Sequence, residues 1–338
     1  MAVLGCVLSL CEETRGQFGN NFGKGNPPAA PANRGFFGQR PPAGGAAAAA
    51  ALLGQAPAEQ QKVQRWLVGV EIFAVGGSCR GVHGSLPVPS DWTGQEVKIV
   101  DEETTTHVAS TRYRQLNGVR QLYFSMPQVP AGETGVLKVT LEIHRKAQPA
   151  PKYPDRFIFP EKIPRDIRPF LAASPSIEVR NKEIRQKAEE ITAGIEPVWE
   201  QVEAIYDWVR DNVKYERASL KGAASALKSG KGGKEDLVCL FIALCRAKKI
   251  PARTVWVPDH CYAEFYLMAK NNQGYWLPCQ VAGTRDFGAM PDLRPVLQKG
   301  ENIQVPGKRE PQRFVNETLT ASGGRPQVKF IRKLLPAE

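Results

Sequence analysis

The capacity of this chain for nucleophilic or acid–base chemistry rests on its cysteines and histidines. The seven cysteines are odd in number and none forms a Cys-x-x-Cys pair, which argues against a zinc knuckle or a redox motif. His83, His107 and His144 are scattered and have no ligand partner nearby in sequence. No metal site and no cofactor is therefore expected. His260 differs, because it opens the ordered run His260-Cys261-Tyr262-Ala263-Glu264-Phe265-Tyr266. Upstream stands Gly230-Lys231-Gly232-Gly233-Lys234-Glu235-Asp236, leading into the apolar Leu237-Val238-Cys239-Leu240-Phe241-Ile242-Ala243-Leu244-Cys245-Arg246. Downstream, Trp276-Leu277-Pro278-Cys279-Gln280 adds a thiol and an amide.

The elements around these residues follow from periodicity. Residues 237–247 are apolar almost all round, which predicts a buried central helix after the glycine-rich turn. Helical spacing also marks 183–191 and 198–213, with Val202, Ile205, Tyr206, Val209 and Val213 on one face, and a short helix over 223–227 ends at Gly230. Strands are predicted at 253–257, 261–268 and 275–280, with weaker candidates at 313–319 and 328–334. Helices followed by an antiparallel sheet make an α+β pattern.

The run from Gly232 through Arg246-Ala247 to Ile250-Pro251-Ala252-Arg253 closely resembles the core motif of the transglutaminase-like superfamily, a papain-like group with a cysteine nucleophile. The motif places Gly-x-Cys-x-Asp/Glu/His at a helix start, then Leu-Phe-x-Ala-Leu-x-Arg-Ala and Ile-Pro-Ala-Arg. The resemblance covers roughly residues 155–300. It implies a thiol at the helix N-terminus, a histidine base in His-x-x-x-Glu-x-Tyr, and an aspartate about four residues after a tryptophan to orient that base. In this chain those three positions hold Lys234, His260 and Gln280. A one-residue shift at the third position would put Cys279 there, and neither choice supplies a carboxylate. The resemblance thus implies a triad from which only the histidine survives.

Other cysteines are poorly placed to stand in. Cys239 lies about 140° round the helix from Lys234 and ~7.5 Å along it, and Cys245 lies ~16 Å along. Cys261 adjoins His260 but points to the opposite face of a strand. If His260 and Gln280 are direct cross-strand partners, Cys261 and Cys279 are too; a reduced, packed pair is the simpler expectation and a disulfide the alternative. A lysine nucleophile needs a lowered pKa; a solvated, inert Lys234 is the simpler expectation. Glu235 and Asp236 are expected to complement the helix N-terminus, and Glu264 to serve as a structural hydrogen-bonding group. Tyr215, Trp256, Tyr262 and Trp276 are expected in the core.

Ahead of this, residues 62–146 alternate like strands, with turn signals at Asn117-Gly118 and Ala131-Gly132, and predict a small all-β, sandwich-like domain containing Trp66 and Trp92. A Pro-rich stretch over 148–154 predicts a linker. The expected division is a Gly/Pro/Ala-rich disordered segment over 1–60, a β-domain over 61–150 and a transglutaminase-like domain over 151–338. A β-domain companion also fits bacterial members of the superfamily. Met1 to Cys11 and Ala46 to Ala58 have leader-like features without a proper leader's order, which favours a secreted or envelope setting over a cytoplasmic one.

Composition excludes little else. No apolar stretch reaches the ~20 residues of a membrane span. The net charge of +11 is spread along the chain, without a Lys/Arg run or interleaved aromatics, so it reads as a solvated basic surface rather than a nucleic-acid footprint. Three functions remain open: a catalytically degenerate protein binding a protein or peptide-like ligand in the remnant cleft; a protease, amidase or transamidase with an unrecognised nucleophile; and a structural cell-envelope protein working through its basic faces.

Overall fold

The period-2 alternation becomes long antiparallel strands in the computed structural model, which describes residues 60–160 and 162–336. The 1–60 segment, apart from its last residue, lies outside the described residues. The first strands are β1 (Gln61–Val88), β2 (Gln95–Thr104), β3 (Ser110–Leu116), β4 (Val119–Val129) and β5 (Thr134–Lys146). There follow β6 (Phe157–Ile158), α1 (Lys182–Thr192), α2 (Val198–Asn212), β7 (Lys214–Tyr215), α3 (Ala223–Ser229), β8 (Lys231–Gly232) and α4 (Lys234–Ala247). The chain then forms β9 (Ala252–Val257), β10 (His260–Ala269), β11 (Gly274–Cys279) and β12 (Gln298–Lys299), and ends in β13 (Thr318–Leu334). The architecture is α+β.

The first sheet has the order β2-β5-β1-β4-β3, with β13 paired to β1. It is one curled sheet rather than two stacked ones. β1 runs through both halves: its first part pairs with β5 and its second with β4, and irregularities between Val75 and Cys79 and between Arg80 and His83 let it bend. Val68, Val70 and Ile72 alternate inward along it and are fully buried. In place of two weak strands at 313–319 and 328–334 in the second domain, the chain forms one strand, β13, which returns to pair with β1 from Trp66↔Leu334 to Ser85↔Thr318.

The second sheet, β11-β10-β9-β12 with β6 on the end of β10, is covered on one face by the helices. α4 lies centrally, buried from Asp236 to Arg246. It packs on the face of β10 that presents Cys261, Ala263, Phe265 and Leu267. The opposite face of β10 carries Tyr262, in a separate apolar cluster with Val255, Val257, Met290 and Val296. Trp92 packs there too, so it belongs to the seam between the two sheets rather than to the β-domain core. Polar groups knit that seam: the Gln95 amide donates to Val296 O at 2.9 Å and accepts from Val296 N at 2.7 Å, and Lys299 N donates to Gly118 O at 2.8 Å. The Pro-rich stretch is tied down at its start, where Gln148 and Met290 exchange two backbone hydrogen bonds. Of the four aromatics expected in the core, Trp256 and Tyr262 are buried, Trp276 is half-buried and Tyr215, on β7, is exposed.

Candidate functional site

α4 begins abruptly because its turn is fixed from below. Gly230 closes α3 in the left-handed region at φ 63°. Asp236, almost fully buried, accepts from Gly233 N at 2.9 Å and from Lys221 N and Gly222 N at 2.7 Å each. One carboxylate thus caps α4 and fixes the approach to α3. Lys234 is the first residue of α4 and is exposed to solvent. Glu235, next to it, forms an ion pair with Arg313, whose guanidinium also lies 4.9 Å from the centre of the Trp256 ring. This pair borders a narrow recess lined by Val238, Cys239, Trp256 and Cys261 among others.

His260 opens β10 and is half-buried. Its Nε2 lies 2.7 Å from Gln280 Oε1. The amide oxygen can only accept, so Nε2 carries the proton and Nδ1 presents a lone pair. Gln280 is itself held: its carbonyl accepts from the Tyr206 hydroxyl at 2.8 Å and from Arg210 Nη1 at 3.0 Å, both from α2. Burial pulls the His260 pKa below its ordinary value; the Gln280 bond opposes this, and the charges of Arg294 and Lys234 add to the depression. The imidazole is therefore neutral at pH 7, with a base-competent nitrogen. Arg294, paired with Asp292 and donating to Pro258 O at 2.9 Å, was not foreseen because its loop has no periodic pattern.

The structure therefore joins two of the three predicted positions by a hydrogen bond and sets Lys234 near enough to act on His260 through its charge. No described cysteine is at this place. Cys79, Cys239, Cys245, Cys261 and Cys279 are all buried and free, and burial raises each thiol pKa above its ordinary value. They are poor nucleophiles on both counts. The expected Cys261–Cys279 pairing fails on register. Cys279 faces Ala263, leaving Cys261 two residues away on the same sheet face. The physical reason is the length of Gln280: its side chain reaches His260 diagonally, so the two residues need not be direct partners.

Below His260 on the same face, Glu264 is buried between two cations. Lys299 Nζ lies 2.5 Å from Oε1, and Arg253 Nε 2.8 Å from Oε2. Burial would raise the carboxyl pKa, but Lys299 and Arg253 outweigh it and hold Glu264 at about 2. Burial also pulls Lys299 down to about 8. The asymmetry is physical: the carboxylate has two cations, whereas the ammonium has one carboxylate and further positive charge nearby.

Residues 185–281 match the family model of the transglutaminase-like superfamily. The chain carries a transglutaminase-like domain. All three positions, Lys234, His260 and Gln280, fall inside the matched stretch. A solved structure of a putative cysteine protease from Cytophaga hutchinsonii is similar over 82% of this chain and 93% of that one, at 19% identity and a TM-score of 0.51. That likeness is one of fold and extends over both sheets. A putative protease from Parabacteroides distasonis aligns over 66% of this chain and 47% of its own, at 12% identity and a TM-score of 0.26, too low to bear on the fold. No curated protein matches the chain. No helix among the described residues is long and apolar enough to cross a membrane, and no described group of three or more acidic, histidine or cysteine residues could hold a metal.

Proposed function

We propose that this transglutaminase-like domain is catalytically degenerate and binds a protein or peptide-like ligand over its remnant site. The observation that carries the reading is the occupant of the helix start: Lys234, exposed, where the fold's chemistry uses a thiolate. An ammonium cannot form the thioester of acyl transfer. The buried, high-pKa thiols do not replace it. The recess beside the site is too narrow to take up a small molecule, which favours a ligand lying across the surface. Lys234 and the lone pair of His260 would hold its polar groups.

One observation favours the enzyme reading. A neutral His260 oriented by an amide is a working arrangement in papain-like proteases, whose third residue is asparagine. Incubation with a panel of glutamine-containing and basic or acidic peptides, read by fluorescence anisotropy and by mass spectrometry, separates the two. The expected result is a peptide bound at least tenfold more weakly by Lys234→Ala and recovered intact. A peptide cleaved, deamidated or cross-linked by wild type, and spared by His260→Ala, would establish the enzyme reading instead.

A further inference from the structure

A second group of charges, with no part in the site above, lies in the seam between the two sheets. Its centre is Arg145, near the end of β5, with 4% of its surface exposed. A buried guanidinium demands a counter-charge. Arg145 has none among the described residues. Its cross-strand neighbours are Lys62 on β1 and Gln95 on β2. Its Nη1 donates to two carbonyls, Gly94 O at 3.0 Å and Lys146 O at 3.2 Å. Among the described residues its Nη2 reaches only the Tyr262 hydroxyl, at 3.4 Å, and its Nε is buried without a partner. The nearby carboxylates are committed: both oxygens of Glu264 are taken by Lys299 and Arg253, and Asp292 pairs with Arg294.

The surroundings add further donors. The indole Nε1 of Trp92 and the hydroxyl of Ser90 are buried and have no partner among the described residues. Lys299 Nζ lies 5.4 Å from the centre of the Trp92 ring. Tyr262, fully buried, accepts from Arg145 and so keeps its own proton to give. Arg145 thus adds a third cation beside a single carboxylate already taken by Arg253 and Lys299; burial chiefly lowers the Lys299 pKa, and the charges of Arg253 and Arg145 lower it further. A small anion satisfies the donors and the charge together.

We propose that the seam holds a monovalent inorganic anion of halide size, bound by Arg145 Nε and Trp92 Nε1 with Lys299, which ties the curled sheet to the transglutaminase-like domain. The test uses the whole protein in chloride, bromide or gluconate at equal ionic strength. Crystals in bromide should show an anomalous peak within hydrogen-bond reach of Arg145 Nε. Chloride and bromide should stabilise against denaturant saturably, with the unfolding equilibrium constant falling about 11-fold at ten times the dissociation constant. Arg145→Gln should abolish that response, and where this variant does not fold, Trp92→Phe should weaken it. Water at Arg145 Nε, equal stabilisation by gluconate, or a peak seen only at molar bromide without saturable stabilisation (an adventitious ion only) would overturn the proposal.

Discussion

At the scale of single residues, the contact between His260 and Gln280 governs the behaviour of the site. An amide can orient an imidazole but cannot stabilise an imidazolium by charge, and burial leaves His260 neutral. By NMR its titration midpoint should lie below the ordinary value of about 6.5. Gln280→Glu keeps the acceptor in place and adds a charge, so the midpoint should rise by roughly 1–3 pH units. An unmoved midpoint would show that the 2.7 Å contact does not exist in solution. The linkage sign follows. As pH falls through about 6.5 the unfolded chain binds this proton before the folded one, so His260 makes wild type less stable on acidification. These positions were legible in the sequence because Trp276, His260 and the 237–247 helix carry strong local patterns. The cross-strand register was not, because a long side chain such as Gln280 bridges positions that a short one would need directly opposite. Arg313, Asp292 and Arg294 gave no signal, since they come from irregular segments placed only by tertiary packing.

Among the elements, α4 and β10 carry most of the polar expense. Glu264 was expected to be structural, and its partners show how: it neutralises Lys299 of β12 and Arg253 of β9 across the sheet. Glu264→Gln keeps the shape but leaves two buried cations without a counter-charge, and should cost roughly 3–5 kcal/mol of unfolding free energy in a denaturant titration. A loss under 1 kcal/mol would mean that the two cations are compensated elsewhere. Because the carboxyl sits at about 2 in the fold, its contribution is complete above pH 4.5 and is lost as the pH falls towards 2. Helix and strand positions in this half matched their periodicity closely, since α4 is apolar all round and β9 to β11 are short and well punctuated. The three-way capping by Asp236 could be read only in part: its place at the helix start was visible, but its bonds to Lys221 and Gly222 depend on how α3 folds back.

For the molecule as a whole, the α+β class was legible and the closure of the first sheet was not. The last strand contains Ser322-Gly323-Gly324-Arg325-Pro326, which interrupts any alternation, yet those residues match the irregular stretch of β1 around Val75–Arg80 and let both strands bend together. The central helix of this fold starts with an exposed lysine, Lys234. The most direct measurement is alkylation by iodoacetamide, mapped by mass spectrometry, alongside peptide turnover, for wild type, Lys234→Cys and Lys234→Cys/Gln280→Asp. Wild type should show no rapidly alkylated cysteine and no thiol-dependent turnover, since loss of a nucleophile removes catalysis by orders of magnitude. Lys234→Cys should be alkylated rapidly at position 234, beside a neutral His260, and the double variant should gain weak acyl transfer. Turnover by wild type that disappears in His260→Ala would contradict the account and point to a nucleophile working with that histidine.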